Sequence, residues 1–60
     1  MKPIEVMLND RPVSFSACVL MMDDELREQL HNEGIEDPQE FLDRYIDLHA
    51  MKFDGEEFGI

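Results

Sequence analysis

Ile4, Val6 and Leu8 alternate with Glu5 and Met7, a period of two that predicts a half-buried strand with its apolar side chains on one face. Asn9-Asp10 follows, and both residue types tolerate positive φ. Val13-Ser14-Phe15-Ser16-Ala17 then alternates apolar and hydroxyl side chains, so the pattern reads as a β-hairpin. Pro12 has no N–H to donate, which suits the exit of the turn or an edge position.

The alternation fails at Ala17-Cys18-Val19-Leu20-Met21-Met22, where a continuing strand would be apolar on both faces. Such a strand is either covered on both sides, by helices or a second copy of the hairpin, or left as an open binding edge. Flexible thioethers at Met7, Met21 and Met22 keep the second reading alive.

Helix signals come next. Asp23 is a candidate N-cap, Asp24 and Glu25 place negative charge in a first turn, and Met22, Leu26 and Leu30 recur every four residues. Gly34 is a stop in the left-handed C′ position, with Ile35 set to close on Leu30. Asp37-Pro38-Gln39-Glu40 is the clearest start in the chain: an N-cap, a proline at N1 and a glutamate that can reach back to the cap. In the helix that follows, Phe41, Leu42, Tyr45, Ile46, Leu48, His49 and Phe53 share one side, and Asp43, Arg44 and Asp47 lie opposite. The segment 54–60 is either a short third strand or a flexible, lightly packed acidic tail with Phe58 and Ile60 as anchors, and the tail is favoured. The expected fold is α+β: an N-terminal β-hairpin and two α-helices, ββαα, in a single domain over 1–60.

Composition narrows the function. A chain of 60 residues forms a small core and is marginally stable. One cysteine excludes an internal disulfide, and two histidines with one cysteine fall short of a closed zinc site, so no metal and no cofactor are expected and a reducing cytoplasm fits best. No apolar run exceeds six residues and the first residues do not read as a signal peptide, so neither a membrane span nor export is expected. Fifteen acidic against five basic residues give a formal charge of −10, and the bases are scattered singly. Direct nucleic-acid binding and attachment to an anionic membrane both need clustered cations and are set aside.

Individual residues offer little chemistry. His49 on the apolar face reads as a neutral core-edge histidine donating one hydrogen bond, with a pH switch as the alternative. His31 falls in a last helical turn, where the helix dipole favours a cation. Cys18 reads as a small core residue. No nucleophile has a base beside it and no phosphate-cradling glycine pattern occurs, so no catalytic residue is assigned and the protein is read as a non-enzyme.

The segment Val6-Met7-Leu8-Asn9-Asp10-Arg11-Pro12-Val13 resembles the first hairpin of ubiquitin-like β-grasp sulphur carriers. Those proteins are activated at a terminal Gly-Gly, whereas this chain ends Phe58-Gly59-Ile60, so the resemblance does not carry their activity over.

What remains is binding. The acidic residues suit a basic protein partner, as in small inhibitors and antitoxin-like proteins or nucleic-acid mimics that mask a basic surface. The expected contacts are Asp43, Asp47, Asp54, Glu56 and Glu57 against lysine or arginine, with Met51 and Phe58 giving apolar contact. The alternative is a structural homo-oligomer, a dimer through the hairpin or the Met21-Met22 region, whose acidity serves solubility alone.

Overall fold

Asn9 and Asp10 both adopt left-handed backbone, with φ of 53° and 63°, and so form the two-residue turn that matches the twist of a hairpin. The turn joins β1 (Glu5–Leu8) to β2 (Arg11–Ser14), antiparallel with Val6 opposite Val13 and Leu8 opposite Arg11. The computed structural model describes residues 4–59. In a hairpin with this turn Leu8–Arg11 and Val6–Val13 exchange backbone hydrogen bonds, and Pro12, opposite Met7, lies at a non-bonded position where its missing donor costs nothing. Val6 and Leu8 are buried on the face toward the helices, as the alternation predicts.

Beyond Ser14 the structure departs from the sequence reading. The Phe15 amide donates to the Ile4 carbonyl at 2.9 Å, the next rung of the ladder, but Phe15 is also the first residue of a helix, α1 (Phe15–Met21). The apolar run that would have been two-faced in a strand therefore turns Cys18 fully inward, Val19 part way, and Leu20 outward at 85% exposure. Met22, just past this helix, is buried, so Met21 and Met22 do not present one joint apolar surface.

The other two helices start and stop where their caps predict. In α2 (Asp24–Asn32) the Asp23 carboxylate accepts from the Leu26 amide at 3.3 Å, and Gly34, at φ 76°, donates its amide to His31 O at 3.1 Å. In α3 (Pro38–Lys52) the Asp37 carboxylate accepts from the Glu40 amide at 2.9 Å. That helix ends with Asp54 left-handed at C′ and the Gly55 amide donating back to Ala50 O at 2.6 Å.

Helices α2 and α3 run antiparallel. Lys52 at the end of α3 reaches Asp23 and Glu25 at the start of α2, each at 2.8 Å, and Arg44 meets Glu33 past its far end at 3.2 Å. The core lies between this pair and the hairpin: Val6, Leu8, Cys18, Met22, Leu26, Leu30, Leu42, Tyr45 and Phe58. The hydroxyl of buried Tyr45 accepts the Asp23 amide at 2.8 Å, which locks the α1–α2 corner onto α3. The architecture is α+β, a two-stranded hairpin followed by helices, three of them among the described residues rather than the expected two.

Candidate partner-binding surface

Helical spacing decides what α3 offers to solvent. Leu42 and Tyr45 point inward and are fully buried, so the opposite face carries Glu40, Asp43, Asp47 and Met51. All four are exposed, Met51 at 78%. Asp43, Asp47 and Met51 follow one another every four residues and form a ridge about two turns long. Arg44, the cation on this side, is drawn off to Glu33, and Lys52 is occupied by Asp23 and Glu25. Asp43 accepts a hydrogen bond from Gln39 Nε2 at 3.1 Å, and the ridge carboxylates have no ion-pair partner among the described residues.

Beyond the ridge, Asp54 opens the turn that follows α3, and Glu56 and Glu57 are exposed. Phe58 does not belong to this surface. It is 7% exposed, its ring lies 4.8 Å from that of Tyr45 and 5.5 Å from that of His49, and it completes the core. Expected from the sequence at the partner contact, the Phe58 ring is turned inward in this structure, where it meets more apolar surface than on the outside. Residues 56–59 form no strand, and Phe58 together with a 3.1 Å contact between His49 Nδ1 and the Glu56 carbonyl ties them to α3. A carbonyl oxygen only accepts, so His49 Nδ1 carries the proton, and the ring packs between Tyr45 and Phe53 as a core-edge histidine.

Glu40 joins the ridge although its sequence context points to helix capping. The helical wheel held the signal, since position 40 shares the face of 43 and 47. No Glu40 bond back to the Asp37 amide accompanies the cap, which leaves its carboxylate on the surface.

Conventional active-site features are sparse. Cys18 is fully buried, and burial pushes its thiol pKa up, away from the reactive thiolate. Among the described residues no three His, Cys, Asp or Glu side chains are grouped to hold a metal ion, and no helix is long and apolar enough to cross a membrane.

No curated protein matches this chain. A family model does: that of the anti-CRISPR protein AcrIC5 matches residues 6–58. Val6 is the first core residue along the chain and Phe58 the last, so the match spans the whole hydrophobic framework described above. The chain belongs to the AcrIC5 family of anti-CRISPR proteins.

Proposed function

We propose that this protein inhibits a CRISPR system by binding one of its protein components and covering a basic surface that would otherwise take nucleic acid. The observation that carries this reading is the exposed ridge of α3, where Glu40, Asp43 and Asp47 stand without ion pairs among the described residues, beside the solvent-exposed Met51. Asp43 and Asp47 repel each other one helical turn apart, in a chain whose formal charge is already −10, and that repulsion costs stability in isolation. A surface rich in lysine and arginine offsets it. Asp54, Glu56 and Glu57 extend the same field toward the C-terminus, and Met51 supplies an adaptable apolar contact at its centre.

Inhibition by occupancy requires no chemistry from the inhibitor, and the partner is met in the cytoplasm. The acids speed and orient the encounter over a screening length of about 8 Å, while buried apolar contact sets the lifetime of the complex. A homodimer built by pairing hairpins or through Met21-Met22 has less to support it. Gln39 occupies the outer backbone groups of Met7 on β1, Pro12 interrupts β2, and Met22 is inside.

The test is affinity for purified CRISPR effector proteins as a function of salt. Binding should weaken steeply between about 50 and 500 mM salt, and Asp43→Lys with Asp47→Lys should abolish most of it. Affinity that stays level across that range would refute the charge-masking mechanism.

A further inference from the structure

Away from the ridge, α1, α2 and the start of α3 enclose a groove of about 720 Å³. Its apolar lining is Phe15, Val19, Ile35, Pro38 and Phe41, each only partly buried, with Phe15 and Phe41 in edge-to-face contact at 5.7 Å. Phe15, Val19, Ile35 and Phe41 pack against the core on one side and keep part of their apolar surface open to the groove on the other. The rim carries Asp24, Glu28 and Glu36 against Arg27 and His31. Arg27 is held by Asp24 at 2.9 Å, so the carboxylates of Glu28 and Glu36 stand at the opening with no ion pair among the described residues. An apolar floor beneath an acidic rim has a definite complement.

We infer that this groove is a second contact site, which receives a short cationic segment of the partner protein: one aromatic or long aliphatic side chain seated among Phe15, Val19, Ile35 and Phe41, with flanking lysine or arginine against Glu28 and Glu36. The volume falls in the range of sites that enclose a small ligand, about 300–1,000 Å³, and exceeds what one side chain fills, so the segment enters with part of its backbone. An anchor of this kind contributes the desolvated apolar contact that the solvated ridge cannot. This site rests on the reading that the protein binds a basic partner, but it uses a different surface. Phe41 faces α1 and α2, whereas Asp43 and Asp47 face solvent.

The experiment compares the wild-type chain, Val19→Trp, the double variant Glu28→Lys/Glu36→Lys and the ridge variant Asp43→Lys/Asp47→Lys for binding to the purified CRISPR effector complex that the wild type inhibits. Val19→Trp fills the groove, and the Glu28/Glu36 variant reverses the charge of exposed rim positions without touching the core; circular dichroism establishes that each variant is folded. Both groove variants should lose about tenfold or more in affinity. Should Val19→Trp not fold, the charge-reversed rim decides alone. Groove variants that bind within about twofold of wild type, while the ridge variant fails, would overturn the groove site and leave the charge-masking reading standing. Wild-type protein that binds no protein of any CRISPR effector complex would overturn both.

Discussion

Gln39 satisfies both backbone polar groups of Met7: its Oε1 accepts the Met7 amide at 2.7 Å and its Nε2 donates to the Met7 carbonyl at 3.0 Å. Met7 lies opposite Pro12, a non-bonded pair whose polar groups point away from the partner strand, so β1 has an open edge there. The first turn of α3 closes it with a side chain acting as one residue of a third strand. Replacing Gln39 with leucine keeps the bulk and deletes both bonds to Met7, together with the exposed one to Asp43. The expected loss is about 1–2 kcal/mol, read as a lower urea midpoint at unchanged m-value. No change in midpoint would mean that water replaces the clasp without cost.

Phe58 couples the chain end to the core. Its ring packs edge-on to Tyr45, and Tyr45 in turn holds the Asp23 amide, so loss of Phe58 opens a cavity beside the residue that joins all three helices. Phe58→Ala should cost about 3 kcal/mol, which is comparable to the whole stability of a domain this size, about 3–9 kcal/mol. Thermal melting should show a broad, low transition, whereas Phe58→Leu should retain most of the wild-type Tm. A full-strength melt for Phe58→Ala would return the segment 54–59 to the status of a loose tail.

The legible parts of this fold were those with local chemistry. Asn9-Asp10 specifies its turn through residues that accept positive φ, Asp23 and Asp37 cap the helices that follow them, and Gly34 stops α2. Helix α1 was not legible. Ser14 and Ser16 flank Phe15 in strand-like alternation, seven residues are too few for a helical period to emerge, and Ser14 at the N-cap makes no side-chain capping bond. Helix α1 is instead set by packing, which draws Cys18 to zero exposure. The surface residues divide in the same way. The exposure of Asp43, Asp47 and Met51 follows from helical spacing, but the inward turn of Phe58 depends on a pocket between Tyr45 and His49 that no local pattern encodes.

The Lys52–Asp23 pair gives a pH signature with a definite sign. The hydrogen bond from Lys52 is the largest influence on the Asp23 carboxyl and, with help from the Leu26 amide and the lysine charge, holds it below its ordinary range against the opposing effect of desolvation. Hydrogen bonds to Asp23 and Glu25 hold Lys52 above its ordinary range. A lowered carboxyl contributes stability above its unfolded pKa of about 3.9 and loses it as pH falls through the folded value; a raised lysine contributes below about 10.4 and loses it as pH rises through its folded value. The stability difference between wild type and Lys52→Met should therefore be flat between about pH 5 and 9, shrink in acid and shrink again in strong base. A difference that stays constant down to about pH 2 would show that the pair makes no net contribution in solution.

Asp43 and Asp47 separate the two explanations of the acidic surface, because stability and binding should respond to them in opposite directions. Carboxylates four apart on a helix cost about 0.2–0.5 kcal/mol, and asparagine has nearly the helix propensity of aspartate, so Asp43→Asn/Asp47→Asn should raise stability by a few tenths of a kcal/mol. The acceptor that Asp43 offers Gln39 survives, since an asparagine carbonyl can take the same hydrogen bond. The formal charge moves from −10 to −8, which is −10 + 2. Under the masking mechanism affinity for the CRISPR partner falls despite the firmer fold, and the slope of affinity against salt becomes shallower. A variant that is more stable and binds as tightly as before would mean that these two acids serve solubility alone. One that is less stable would mean that they hold α3 together through contacts that outweigh their mutual repulsion.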